Sequence, residues 1–479
     1  MPLKTSERLN RYHFLMVMAV DFFTVAACLA AALKIRFGSL LTVPSDAIIG
    51  TWIFFSVMQM IFMLMEDLYT VRSTVNRTMN IFRTIRMTVM ITLLYIVALF
   101  VLHFPSSILI VSRLAILIFM VLWLGVVIFT RLFLLPRLFS VVIRLLGFKR
   151  ITVLIFGEKK AAEGMKSNLR RSRAYRSVLN IETAEPVRGG GDFQQMKTLM
   201  EERDATECMV VFQDEGFDEM ADLIIRVTDA SIPLCVFSPR FLELGYFDPW
   251  LSTSRYGAMV FCRRKWGRMS ELVWRFLDVA AAILGFLLFL PVTAPTAAAV
   301  ALSGKGGVFF RQERIGKDKK PFTFLKFRSM RVEDDSRQKD HKEYFARYAN
   351  GNAAEKTENG KIYKSVSSSS VTKVGKVIRK TSIDELPQIL NVLRGDMSIV
   401  GPRPCIEYEL EHYDKQWYHL RFDVKPGLTG IWQVYGRSRL SFEKSQFLDF
   451  VYVLSRTDGM NIKLIFKTFP VMLFGKGGL

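Results

Sequence analysis

The sequence predicts a membrane α-helical N-terminal bundle, then an α/β Rossmann-like domain, then a re-entrant helix leading into a second α/β domain. Three observations carry this reading. Long, nearly uncharged segments crowd the first 130 residues. Short apolar runs alternate with polar helical stretches over 151–260. One further apolar stretch, 279–302, is basic on both flanks. The chain has 479 residues, enough for about three domains. It is 51% hydrophobic and carries a formal charge of +21, with a mean hydropathy of +0.23. So much apolar surface excludes a disordered chain. The five cysteines form no CxxC pair, which argues against a zinc site or a disulfide framework.

Segments 12–33, 47–65, 87–104 and 107–130 carry almost no charge, and each is long enough to cross a hydrocarbon core of about 30 Å. Soluble helices of this length show a polar stripe, and these do not. Orientation follows from the short loops. Lys4, Arg8 and Arg11 precede the first segment. Arg72, Arg77, Arg83 and Arg86 separate the second and third. Arg131, Arg137, Arg144, Lys149 and Arg150 follow the fourth. The N-terminus and everything after the fourth segment are therefore expected in the cytoplasm. Lys34 and Arg36 depart mildly from the rule.

The fifth stretch, 279–302, is also long enough to span. Spanning would put one of its two basic flanks outside. Pro291 and Pro295 lie near its middle, and each removes a backbone donor. A helix that enters, breaks at these prolines and returns to the same face satisfies both observations. A kinked spanning helix is the alternative.

In the middle region, 151–156, 178–182, 208–212 and 233–237 read as strands, and 159–171 and 217–229 as helices. The first strand runs into Gly157, but only Gly164 follows where a dinucleotide site needs GxGxxG. The domain is read as structural or regulatory.

From residue 303 onward the chain is basic and motif-rich. Segments 308–314 and 322–330 read as strands carrying Arg311, Arg314, Lys326 and Arg328. Guanidinium groups there suit phosphate, and a basic face suits anionic lipid equally. The polar stretch 336–370 reads as a flexible loop or an insertion. Residues 379–388, RKTSIDELPQ, read as a helix start: Ser382 as N-cap, Glu385 closing a capping box, and Gly395 as the stop. Capping is one role for Glu385. The other is chemical: Asp384 in the first turn, kept ionised, as a nucleophile, with Glu385 on a divalent ion. Pro402 and Pro404 restrict the backbone on either side of Arg403, which suits a phosphate or nucleotide, although a structural turn is the commoner use. Residues 425–437 add a Gly-rich segment ending in Arg437.

The motifs RQERIG, KFRSM, RKTSIDELPQ, SIVGPRP, KPGLTGIWQV and IKLIFKT stand in this order. Over about 265–479 the chain thereby resembles the bacterial sugar transferase family, the polyprenyl-phosphate hexose-1-phosphate transferases. The whole layout resembles the family's long members, with a transmembrane domain over 1–140, a Rossmann-like cytoplasmic domain over 145–260 and a re-entrant-helix α/β catalytic domain over 265–479. The resemblance implies a two-step transfer of hexose-1-phosphate from a UDP-sugar, galactose being preferred over glucose, to undecaprenyl phosphate. Asp384 would be the nucleophile and Glu385 would help hold Mg2+. Arg379 would stand near the lipid phosphate, and Pro402-Arg403-Pro404 at the nucleotide end. Lys326 and Arg328 match the basic strand, and Arg311 and Arg437 complete the expected substrate-binding set. Where the family has Ser-Pro at the helix break, this chain has Leu290-Pro291. Implied partners are the two substrates, membrane lipids and a second copy of the chain, without nucleic acid. The implied place is the bacterial inner membrane, multi-pass, with the catalytic domain cytoplasmic. A non-catalytic scaffold of polysaccharide assembly is the competing class.

Overall fold

The computed structural model describes residues 2–39, 43–65, 84–85, 87–96, 112–145, 151–171, 179–184, 192–203, 205–230, 232–247, 256–261, 268–304, 306–330, 336–351, 354–357, 360–363, 371–436 and 439–473. The chain divides into two compact units. The first is Met1–Val187 with Gln194–Val211; the second is Arg188–Phe193 with Phe212–Leu479. The boundary falls inside the stretch that the sequence marks as one α/β domain.

The first unit begins with helices α1 (Pro2–Phe37), α2 (Ser45–Met65), α3 (Met87–Ile96), α4 (Arg113–Phe129) and α5 (Leu135–Leu145). Tyr12–Phe37, Ser45–Met63 and Leu114–Leu134 are long and apolar enough to cross a membrane. Of the expected third segment only Met87–Ile96 is described, and 97–104 lies outside the described residues. Large side chains fill the bundle core: Phe55 meets Phe119 at 4.7 Å and Trp123 at 5.5 Å between ring centroids. Between α4 and α5 the helix widens into a π-turn over Thr130–Leu134. There Arg131 is buried and pairs with the buried Asp21 of α1 at 2.5 Å. A π-bulge carrying a buried charge is a local departure from the regular ladder that places one side chain inward.

The same unit holds β1 (Ile151–Phe156), α6 (Lys159–Arg171), β2 (Leu179–Ala184), α7 (Asp192–Glu202) and β3 (Ala205–Val211). The strands are parallel in the order β2-β1-β3. A Cβ on Gly157 would stand 3.0 Å from Val211 Cβ, so this glycine lets the end of β1 pack on β3.

The second unit opens with α8 (Phe217–Asp229), β4 (Leu234–Ser238), α9 (Arg240–Glu243) and β5 (Gly257–Phe261). β5 runs antiparallel to β4, an edge strand that the sequence reading omits. These elements pack against the C-terminal part through aromatic rings, with Phe217 4.5 Å from Phe447. The Trp417 Nε1–H also donates to Asp218 Oδ1 at 2.8 Å.

Next comes α10 (Arg268–Leu302), one helix of 35 residues with Pro291 and Pro295 inside it. The helix runs through both prolines without interruption, so the return to the same face expected at this point requires a bend within a continuous helix rather than a gap in it. A proline removes one donor, and the turns on either side keep their own bonds. Thr293 Oγ1 donates to Leu290 O at 3.1 Å and Thr296 Oγ1 to Val292 O at 2.7 Å, so hydroxyls bind the carbonyls on either side of Pro291.

The remaining elements are β6 (Phe309–Ile315), β7 (Pro321–Phe327), α11 (Ser336–Ala349), β8 (Ala354–Thr357), β9 (Gly360–Tyr363), α12 (Lys373–Lys380), α13 (Gln388–Arg394), β10 (Ser398–Val400), β11 (Gly427–Thr429), α14 (Ile431–Tyr435), α15 (Phe442–Ser455) and α16 (Asp458–Leu473). β6 and β7 form an antiparallel hairpin, as do β8 and β9, while β10 and β11 are parallel. Of the two readings of 336–370, the structure favours the insertion, since the stretch holds a helix and a hairpin. Its composition is polar, but Phe345 is buried and packs on Phe442 at 5.5 Å, which gives α11 an inner face.

Candidate active site

The hairpin and α13 build the floor. Asn391, fully buried, accepts from Leu325 N at 3.1 Å and donates to Thr323 O at 2.6 Å, so it stitches α13 to β7. Register then sets the faces. Lys326 lies opposite Phe310, and Arg311 lies opposite Leu325. Side chains alternate along a strand, so Arg311 points to the other face of the hairpin from Lys326.

The dyad sits between α12 and α13. No helix starts at Ser382. This residue has φ 55°, makes no capping bond, and is followed by a 3-10 turn over Ile383–Glu385. α13 begins only after Pro387, which stands as its N-cap, and Gly395 ends it in the left-handed region as expected. The capping box is therefore not formed. The Glu385 side chain instead accepts from Lys326 Nζ at 2.7 Å. Freed from capping, it is available to chemistry.

Asp384 is buried, and its carboxyl is pushed up to about 6. Burial is the main cause, and the Glu385 charge adds to it. Lys326 and Arg379 pull the other way without overcoming it. The expectation of a carboxylate held firmly ionised is thus moderated: a 3-10 turn lacks the macrodipole of a long helix, and desolvation of the charged form dominates. For Glu385 burial also works upward, but Lys326, Arg403 and Arg314 outweigh it and hold its carboxyl below the usual range. Two adjacent carboxylates in one turn are therefore pushed apart.

Arg403 is exposed, and its guanidinium stands 6.0 Å from the ring centre of Trp432. The segments that carry these two residues are one piece of structure. Gly401 N donates to Thr429 O and Gly427 N to Pro402 O, both at 2.8 Å. A Cβ on Gly427 would lie 2.0 Å from Gly401 N, so only glycine permits this approach. Pro404 O accepts from Arg314 Nη1 at 2.8 Å, and Arg314 lies 4.3 Å over the Phe324 ring. Burial pushes Arg314 down to about 10, with the Arg403 charge adding to it.

The structure therefore gathers Asp384, Glu385, Lys326, Arg379 and Arg403, with Pro402 and Pro404 framing the last. It does not bring Arg328 there. That side chain is buried and donates to Val300 O at 2.7 Å and Gly304 O at 2.9 Å, binding the carbonyls at the end of α10. Arg311 is turned away, and Arg437 lies outside the described residues. At the other end of α10, Arg275 donates to Val392 O at 2.6 Å and Leu393 O at 2.8 Å, and Asp278 accepts from Ile399 N at 3.0 Å. Both ends of α10 are thus tied to this one domain, while Leu284, Leu287 and Leu288 between them are exposed. Among the described residues no group of three or more His, Cys, Asp and Glu could hold a metal ion. The carboxylates at hand are Asp384 and Glu385, and Glu385 stays 41% exposed beside Lys326. That donor set fits Mg2+, which binds through one or two carboxylates plus substrate phosphates.

Trp432 lies within the KPGLTGIWQV motif without having been singled out, and other partners in the site fall outside the quoted motifs: Asn391, Arg421, Asp449, and the pair His341–Tyr408. The Tyr408 hydroxyl hydrogen-bonds His341 Nδ1. Burial, with Arg403 and Arg314, pushes that imidazole down to about 4. The readable signal was polar type within apolar runs, as at Asn391.

The profile of the family described as "Bacterial sugar transferase" matches residues 269–475. Exopolysaccharide production protein ExoY of Rhizobium meliloti is 39% identical over 209 residues, which are 42% of this chain and 86% of that protein. Undecaprenyl-phosphate galactose phosphotransferase of Salmonella typhimurium is 37% identical over 207 residues, 43% of this chain and 41% of its own. UDP-glucose:undecaprenyl-phosphate glucose-1-phosphate transferase of Escherichia coli is 38% identical over 209 residues, 42% of this chain and 40% of its own. The chain thus matches less than half the length of these two longer relatives. With its dyad, basic hairpin and Pro402-Arg403-Pro404 loop all inside the matched segment, the chain belongs to the bacterial sugar transferase family.

Proposed function

We propose that the protein transfers a hexose-1-phosphate from a UDP-sugar to undecaprenyl phosphate, as a first step in surface polysaccharide assembly. The observation that carries this is Asp384: a buried carboxyl pushed up to about 6, flanked by Lys326 and Arg379, on a domain tied to both ends of an apolar helix. At neutral pH most of it is ionised, and it is poorly solvated, which suits a nucleophile.

In the first step an Asp384 oxygen attacks the sugar-bearing phosphorus of the donor. The bridging P–O bond breaks, and UMP leaves with the electron pair. In the second, a phosphate oxygen of the lipid attacks the same phosphorus, the bond to Asp384 breaks, and the carboxylate is restored. Lys326 and Arg379 offset the charge that gathers there. Arg403 takes the nucleotide end. Glu385, with the donor's phosphates, would hold Mg2+, which when bound neutralises diphosphate charge. Galactose is the proposed sugar, and the glucose-named relative at similar identity makes glucose the second choice.

The proposed setting is the bacterial inner membrane, with four spanning segments and α10 as a re-entrant element. The ties at both ends of α10 support this, because a spanning helix would carry one end about 30 Å away across the hydrocarbon core. The basic flanks support a cytoplasmic catalytic domain and a homodimer is proposed, to be checked by mass photometry in detergent. The deciding experiment is incubation with a panel of UDP-sugars followed by intact-mass and peptide analysis. A hexose-phosphate adduct on Asp384 is expected. No adduct with any donor, together with undiminished activity in Asp384→Asn, would favour a non-catalytic scaffold instead.

A further inference from the structure

Arg403 is exposed on a proline-framed loop, and a freely rotating arginine side chain carries rotamer entropy that binding must remove. What lies behind it is unusual. Arg421, buried, donates through Nη2 to the Arg403 carbonyl and through Nη1 to the Tyr413 hydroxyl and, at 2.8 Å, to Gln446 Oε1. The same guanidinium pairs with Asp449 Oδ2 at 3.0 Å. Asp449 is buried on α15 and hydrogen-bonds the Trp432 side chain, and the Trp432 ring lies beneath the Arg403 guanidinium. The contacts therefore form a closed circuit. They leave Arg403 from its backbone, pass through Arg421, Asp449 and Trp432, and return to its head group.

A buried ion pair is weak evidence for stability, since desolvating two charges offsets much of their attraction. This one links the two halves of Arg403, and that gives it a second use. We propose that Arg421 and Asp449 are positioning residues for donor binding. They fix the backbone and the guanidinium of Arg403 toward the nucleoside diphosphate, through Trp432. This rests on the reading of the reaction given above. The gain comes from pre-organisation: an arginine already held in place loses less freedom when the phosphate arrives. The acceptor lipid, whose phosphate the reading places beside Arg379, gains nothing from the circuit.

The test uses the full-length protein in detergent and two variants. Asp449→Asn keeps the shape but leaves Arg421 without its counter-charge. Trp432→Phe keeps a ring under Arg403 and removes the N–H that reaches Asp449. The first readout is UMP affinity by calorimetry, which needs no turnover. The second is the donor KM, the acceptor KM and kcat. Asp449→Asn is expected to weaken UMP and raise the donor KM by about tenfold, and Trp432→Phe by about threefold, with the acceptor KM and kcat within about twofold. A structural role alone would lower the thermal midpoint without moving UMP affinity, and that result overturns the proposal. Equal changes in donor and acceptor KM overturn it too. If Asp449→Asn does not fold, Trp432→Phe decides by the same readings. If the wild type binds UMP but transfers no phosphosugar, the reaction reading fails while the positioning question is still answered by UMP affinity. If the wild type does not bind UMP, the positioning proposal fails.

Discussion

Asp21 in the N-terminal bundle and Asp384 in the catalytic half are buried to a similar degree, 3% and 8% exposed. They are treated in opposite ways. Asp21 has a dedicated counter-charge, Arg131, brought inward by a π-turn and held at 2.5 Å. Asp384 has cations near it, but the short contact of Lys326 goes to Glu385. A matched buried carboxylate acts as a staple between helices. An under-compensated one keeps its desolvation cost, which is the property that the proposed role of Asp384 as nucleophile would use.

The largest expected effect breaks this contrast at its reactive end. Asp384→Asn should abolish adduct formation, with turnover falling by at least about 10⁴-fold. It should also raise the unfolding midpoint of the catalytic domain near neutral pH. Its folded value of about 6 lies above the ordinary 3.8, so ionisation costs stability at pH 7 and costs nothing below about pH 4. Neutralising it should recover about 3 kcal/mol. A midpoint lower than wild type at pH 7, measured by differential scanning fluorimetry, would count against the contrast.

Next in size is the staple. Asp21→Asn should destabilise the bundle by about 3–5 kcal/mol, because Arg131 is left buried without its partner. The double change Asp21→Asn with Arg131→Met should recover most of the loss. Heating in detergent with monitored aggregation reads both, and an unaffected single variant would show that the pair carries no weight.

The third prediction concerns pH. The single-turnover rate of adduct formation should rise between about pH 5 and pH 7 as one proton leaves, with a midpoint near the Asp384 value of about 6. Because Lys326 holds that value down, Lys326→Met should move the midpoint upward. Quenched-flow mass analysis follows it. The smallest effect belongs to the join with α8. Trp417→Phe removes one hydrogen bond to Asp218 and should cost about 1 kcal/mol, while Lys415 keeps its own 2.9 Å contact there.

Much of this was readable in advance. Residues 151–156, 159–171 and 217–229 fall where the apolar periodicity places them. Apolar length and net charge mark the bundle, because both properties are local. The dyad was readable because two adjacent acids stand among basic motifs. The capping box was not: Pro387 blocks a helix at that point and Ser382 takes a left-handed conformation, so a correct local signature gave a wrong local structure. Arg328 fits a phosphate-binding strand by sequence, yet its head group serves the end of α10. A basic residue reads the same whether it meets a substrate or a helix carbonyl.

The sequence alone determined that the chain has membrane-length apolar helices, parallel α/β strands and a Lys–Asp–Glu–Arg chemistry near its C-terminal half. These follow from composition and spacing over a few turns. Only the tertiary structure decided which charges meet. Lys326 reaches Glu385 across 59 positions, Arg421 reaches Arg403 across 18, and Arg131 reaches Asp21 across 110. The strength of a charge depends on how dry its surroundings are and which partner arrives first, and neither is set until the chain has packed.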